Sequence, residues 1–208
     1  MAILVIDTCL AACQVGIVHA GRLIAGASEP MERGHQERLA PMAAEVMAGA
    51  GLAFSDIAKI AVTLGPGSFT GLRVGLAFAK GLHVAAGAPL AGIGTLAALA
   101  AIAEGVAAGV IDARRGLVYF QAFDGGRPLG EPDIAPIAEA VEALNGLARL
   151  TLVGPGAVLL ASALPRAEIL NRAAPDLAAL AGLAERAEAT DDPRPLYLRA
   201  PDARPLAT

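Results

Sequence analysis

The N-terminus opens with three short, mainly apolar runs, the first of them unbroken. Ile3 to Ile6 ends at Asp7, Cys13 to Val18 ends at His19, and Arg22 to Ala27 follows the Ala20-Gly21 turn. Short runs joined by small-residue turns predict an antiparallel meander. The period then changes. Leu39, Met42 and Val46 fall at helical spacing and predict a helix over about Gln36–Ala48, stopped at Gly49 to Gly51, with Pro41 kinking its first turns. The opposite side carries Ala40, Ala44 and Ala48, with Glu37 and Glu45 beside them. An ordinary surface helix would carry more Lys and Glu there, so this one reads as able to pack on both sides.

Ile60 to Leu64 predicts a buried strand. The glycine-rich stretch Leu64-Gly65-Pro66-Gly67-Ser68-Phe69-Thr70-Gly71-Leu72-Arg73-Val74-Gly75 follows and opens a helix over about Phe69–Ala86. Only Arg73, Lys80 and His83 are clearly polar on it, while Gly71, Gly75 and Ala79 are spaced by four, so another backbone can approach closely. A core helix against a sheet accounts for one face. A second helix, from a partner or from the same lobe, is expected over the rest.

Leu90 to Gly94 reads as a short strand, and Thr95 as the cap of a helix from Leu96 to Ala103. The pattern then restarts. Val5-Ile6-Asp7 recurs as Val110-Ile111-Asp112, and Gly21-Arg22 recurs as Gly126-Arg127 at the same offset; Thr63-Leu64-Gly65-Pro66-Gly67 has a counterpart in Leu152-Val153-Gly154-Pro155-Gly156. Extended runs at Val110–Asp112 and Leu117–Phe123, a helix over about Ile137–Leu147, a short helix to about Leu164, an extended piece near Ile169 and a helix from Asp176 to Ala187 complete the second half. A Pro-rich break from Thr190 to Pro195 leads to Leu196-Tyr197-Leu198-Arg199, a closing strand or an extended tail. The common order of the matches implies duplication. The expected fold is α/β, with two tandem actin-like (ASKHA, ribonuclease H-like) lobes. Residues 1–105 would form the N-terminal lobe with partner-binding helices, and 106–208 a smaller C-terminal lobe with an extended tail. That step is fold analogy and carries no function by itself.

Composition narrows the classes. The chain of 208 residues is 55% hydrophobic and 17% charged, so it is not a disordered protein. Aromatic residues are 3% with no Trp, which argues against a base-stacking platform. The net charge is -4 and the basic residues do not cluster, so direct capture of nucleic acid is not expected. Cys9 and Cys13 are the only cysteines and no basic leader precedes the first apolar run, so a reducing cytoplasmic setting is expected. No apolar run reaches membrane-spanning length, so no membrane contact is expected.

The chemistry-bearing positions leave alternatives open. The Gly65–Ser68 loop lacks the Gly-Lys-Ser/Thr of a P-loop and the G-x-G-x-x-G spacing of a dinucleotide site. The amides of Gly65, Gly67 and Ser68 at a helix N-terminus can still hold an anion; the alternative is a tight turn closed by a Ser or Thr cap. Asp7 and Asp112 end the first strand of each half. Either they face a cleft and hold a metal through water, or each caps the following hairpin turn. Arg114 and Arg115 suit a phosphate or carboxylate, or pairing with Asp112 or Asp124. His19, His35 and His83 are far apart and outside any H-E-x-x-H, Cys9 and Cys13 make only half a zinc site, and no Gly-x-Ser-x-Gly elbow is present, so a peptidase cannot be assembled.

Together these residues resemble the TsaB family, also called YeaZ, a bacterial subunit of the tRNA threonylcarbamoyladenosine (t6A) machinery. The landmarks are Ile6-Asp7-Thr8, Gly34-His35-Gln36-Glu37-Arg38-Leu39-Ala40-Pro41, the Gly65–Gly75 segment, Ala79-Lys80-Gly81-Leu82, Asp112-Ala113-Arg114-Arg115-Gly116 and Pro195-Leu196-Tyr197-Leu198-Arg199. The resemblance implies a non-catalytic subunit beside the catalytic paralogue TsaD, with the ATPase TsaE as third member. The complex transfers threonylcarbamoyl onto adenosine beside the anticodon, and tRNA would be met only through it. It also implies that the two helices of the first lobe make the self-dimer and the competing TsaD contact. The interface positions then expected are His35, Leu39, Met42, Val46, Phe69, Leu72, Gly75, Leu76 and Ala79. TsaD carries two metal-binding histidines on its corresponding segment, where this chain has Thr95 and Leu99. No catalytic or metal residue is therefore expected. ATP or ADP at the partner interface is the one cofactor kept open, with Asp7, Gly65, Gly67, Ser68 and Arg114 as weak contacts. The rival reading is a stand-alone actin-like ATPase or small-molecule kinase using Asp7 and the Gly65–Ser68 loop.

Overall fold

The computed structural model describes residues 1–199. The N-terminal meander forms as expected: β1 (Ala2–Asp7), β2 (Ala12–His19) and β3 (Arg22–Pro30) pair antiparallel. Helix α1 (His35–Ala50) leads to β4 (Ile57–Thr63), helix α2 (Phe69–Ala86) and β5 (Leu90–Ile93), and these two strands add in parallel beside β1. The resulting order is β3-β2-β1-β4-β5. Every residue of β1 is buried, as an unbroken apolar run requires when both faces of the sheet are covered. The edge strand β3 alternates instead between half-buried and exposed.

The second half repeats this plan. After α3 (Thr95–Ala100) come β6 (Val106–Arg114), β7 (Leu117–Asp124), β8 (Arg127–Pro128), β9 (Asp133–Pro136), α4 (Ile137–Leu144), β10 (Thr151–Val153), α5 (Ala157–Leu160), β11 (Glu168–Leu170) and α6 (Leu177–Arg186). The order β11-β10-β6-β7-β8 mirrors that of the first sheet, with the same antiparallel and parallel pairings. Strands β8 and β9 were not anticipated, and α4 and α5 end earlier than their apolar runs suggested.

The sequence boundary at residue 105 does not separate the packing. Leu180, Ala181 and Ala184 of α6 lie in one apolar cluster with Ile3, Val5 and Ile93 of the first sheet, although α6 was assigned to the second lobe. Leu96 and Leu99 of α3 pack with Ile111 and Val153 of the second sheet, although α3 was assigned to the first. Helices α3 and α6 thus form a middle layer, with α1 and α2 outside one sheet and α4 and α5 outside the other. Residues 196–199 form no strand, and the chain bends at Leu198 and Arg199.

Candidate functional site

A cleft of about 1020 Å³ lies between the halves. Its walls are the β1–β2 turn at Cys9 to Ala11, the loop Pro66 to Phe69, the hairpin at Asp112 to Arg115, Pro155 and the tail at Leu196 to Arg199. The positions singled out in the sequence gather here only in part.

The glycine-rich stretch is organised around β1. Ser68 caps α2, its Oγ accepting from the Gly71 amide at 3.2 Å, while its own amide donates to the Cys9 carbonyl at 2.7 Å. Of the three amides proposed as an anion cradle, that of Ser68 is therefore already engaged, and the capping alternative describes Ser68. A side chain at Gly67 would strike the Cys9 carbonyl, and one at Gly71 the Thr8 carbonyl. Thr8 Oγ1 donates to the Gly71 carbonyl at 2.7 Å and also fills the space over Gly75. The close approach that these glycines permit is to the chain's own turn just past β1, not to a partner helix. Gly65, held at φ 98, presents its carbonyl to the Thr95 amide at 2.8 Å.

Asp7 does not face the cleft. It is fully buried, with Oδ1 accepting from Thr63 Oγ1 at 2.6 Å and from the Cys9 amide at 3.2 Å, and Oδ2 without a partner. Burial raises its pKa above the usual carboxylate range, against the opposing effect of the two hydrogen bonds. Burial and then the charge of Asp7 push the neighbouring Cys9 thiol up to about 12, and burial takes Cys13 to about 11. Both are free and inert as nucleophiles. Asp112 does line the cleft, but Oδ1 accepts from the Arg114 amide at 2.7 Å, which is the turn-capping alternative. The Arg114 guanidinium lies 3.6 Å from Asp112 Oδ2, so these charges pair within one hairpin. Among the described residues, no group of three or more His, Cys, Asp or Glu side chains is placed to hold a metal. None of the described helices is long and apolar enough to cross a membrane.

The expected interface list needs the largest correction. Leu39, Met42, Val46, Leu76 and Ala79 are core residues between α1, α2 and the first sheet, Leu72 is buried at the floor of the cleft beside Gly65, and Gly75 is buried against Thr8. His35 is buried too, with Nε2 3.3 Å from the Ala12 carbonyl. Of the nominated set only Phe69 reaches the surface, at 41% exposure. The larger apolar side chains fill the core, and the small ones point out. Ala40, Pro41, Ala44 and Ala48 of α1 are exposed, as are Ala77, Gly81 and Val84 of α2. The two helices lie side by side, so these positions form one outer face. The same stripe of Ala40, Ala44 and Ala48 was legible as unusually uncharged.

Two groupings escaped sequence reasoning. Arg38 bridges Glu29 and Glu45, tying α1 to β3. At the cleft mouth, the Arg73 guanidinium lies 3.7 Å from the Phe69 ring centroid, and its Nε donates to the Tyr197 hydroxyl at 3.1 Å. The Leu196–Arg199 motif was visible, but nothing in it announces where the tail lies.

Comparison with known proteins agrees with this architecture. Residues 29–169 match the family model "TsaD: tRNA N6-adenosine threonylcarbamoyltransferase". The chain is 36% identical, over 99% of its length and 95% of the relative's, to an uncharacterized protein of Mycobacterium tuberculosis. It is 38% identical over 128 residues to the tRNA threonylcarbamoyladenosine biosynthesis protein TsaB of Escherichia coli, covering 59% of this chain and 55% of that protein. The solved structure of YeaZ from Pseudomonas aeruginosa superposes with a TM-score of 0.78 at 27% identity, covering 95% of this chain and 99% of that one. A hexokinase from Thermus thermophilus, at 17% identity and a TM-score of 0.54, shares the actin-like fold alone. The chain therefore belongs to the TsaB (YeaZ) family of tRNA threonylcarbamoyladenosine biosynthesis proteins.

Proposed function

We propose that this t6A biosynthesis subunit is a non-catalytic partner that docks TsaD through the outer face of α1 and α2. The observation that carries the reading is that face itself. Ala40, Pro41, Ala44, Ala48, Ala77, Gly81 and Val84 are exposed on adjacent helices, and Val84 is 83% exposed. A contiguous small and apolar surface of this kind suits a protein interface. In isolation the same face pairs two copies of the chain, and TsaD competes for it. TsaE and tRNA are reached through the complex, in the cytoplasm.

The cleft supports the non-catalytic half of the reading. Its candidate chemistry is committed to structure: Ser68 caps, Asp112 caps, and Asp7 is sealed beneath Cys9 and Thr63. Thr95 and Leu99, which stand where the resemblance implies histidines in TsaD, are both buried. The rival stand-alone ATPase or kinase is not favoured, because the loop and acid it would use are those same structural groups.

Mixing the chain with TsaD and sizing the mixture tests the reading. A heterodimer is expected with the native chain and is lost with Ala44→Glu, a variant whose melting temperature stays native. A heterodimer that persists with Ala44→Glu, or steady ATP turnover by the purified chain alone, would overturn it.

A further inference from the structure

We propose that residues 190–199 form a latch between the two halves, an extended strap that closes the mouth of the cleft and whose release lets the halves part. Most anchors lie on the first half. The Thr190 amide donates to the Leu90 carbonyl at 2.7 Å, and the Leu196 amide to the Leu64 carbonyl at 2.7 Å. Lys80 Nζ lies 2.7 Å from Asp192 Oδ1. The Tyr197 ring sits 5.5 Å from that of Phe69, with Arg73 held between the phenol oxygen and the Phe69 face. The last anchor crosses over: Arg199 Nη1 donates to the Ala113 carbonyl in the opposite hairpin at 3.1 Å.

Phe69, Arg73 and Lys80 mark one flank of α2, adjoining its outer positions Ala77, Gly81 and Val84. The strap therefore grips the helix beside the face assigned to a partner and leaves Ala77, Gly81 and Val84 exposed. Its attachment is of a releasable kind. From Asp191 to Arg199 only Pro193 is buried, and the side-chain hydrogen bonds of Asp192 and Tyr197 are exposed ones that water can replace. Segments with little buried apolar area open at low free-energy cost. The permanent joint is elsewhere, in the cluster of Leu10, Leu96, Leu99, Ile111 and Val153. Pro193 and Pro195 favour the extended form, so the strap loses less conformational freedom on docking.

Hydrogen–deuterium exchange on the full-length chain tests the latch, comparing the native protein with the double variant Tyr197→Ala/Arg199→Ala. The latch predicts severalfold faster exchange in two remote segments together, 66–72 and 112–117, while peptides from α4 and β10 keep native rates. Lys80→Gln, a milder change at the other end of the strap, gives the same pattern at smaller amplitude. Acceleration confined to 190–199, or spread equally into α4 and β10, would overturn the proposal.

Discussion

The two halves share one scaffold but dress it differently. Both order their strands alike, both end the first strand near an acid, and both follow a later strand with Gly-Pro-Gly. In each, the last glycine of that motif packs against backbone at the end of the first strand: Gly67 on Cys9, just past β1, and Gly156 on Ile111 and Asp112 within β6. The outer helices then diverge. The first half carries α1 of 16 residues and α2 of 18, whereas α4 has 8 and α5 only 4. The acids diverge too: Asp7 is sealed in, and Asp112 caps a hairpin at the cleft. The shared parts are what the fold needs. The long, small-residue helix pair has no equivalent in the second half, and it is there that a role in an assembly is sought.

The comparison breaks most severely at the glycines. Gly71→Ala should cost about 3 kcal/mol or more, since overpacking against a fixed backbone leaves no side chain to move. Gly81→Ala, on the same helix where an added Cβ would enter open space, should instead stabilise by about 0.5–1 kcal/mol. Urea unfolding of the two variants checks both signs. Adjacent positions on α2 sharpen the division between inside and outside. Leu76→Glu, placing a charge in the core, should cost about 3 kcal/mol or prevent folding. Ala77→Glu should stay within about 0.5 kcal/mol of native stability.

The buried acid predicts a pH signature. Because the folded-state pKa of Asp7 is raised, stability linked to it is fully present below the unfolded value and is lost as pH rises through the folded one. Asp7→Asn removes that loss. The melting temperature of the variant relative to native should therefore increase as pH is taken from about 4 to about 7. A relative value that falls over this range would place the ionised carboxylate in a stabilising role. In the second half, Asp112→Ala should cost only about 1 kcal/mol, the loss of one turn hydrogen bond at the surface.

Much of this was readable in the chain. The unbroken runs of β1 and β4 and the helical spacing of Leu39, Met42 and Val46 reflect local periodicity, and the structure follows it. The recurrence of Val-Ile-Asp and Gly-Pro-Gly foretold the repeated topology. What periodicity cannot supply is direction. A helix apolar on two sides does not declare which side meets its own sheet, and the bulkier stripe was taken for the interface although bulk is what fills a core. Nor do local patterns reveal that α3 and α6 pack across the expected boundary, since long-range burial decides their place. Asp7 reads like a cleft acid because it ends a strand, and only the fold shows Cys9 and Thr63 closing over it.

The central claim is that the partner face belongs to the outer side of α1 and α2 and not to the corresponding side of the second half. Calorimetric titration of TsaD with the native chain, Ala77→Glu and Val158→Glu tests it most directly, because Ala77 and Val158 are both exposed on outer helices, one in each half. Native and Val158→Glu chains should bind alike, and Ala77→Glu should show no measurable heat of association. Undiminished binding by Ala77→Glu, or a loss found only with Val158→Glu, would contradict the account.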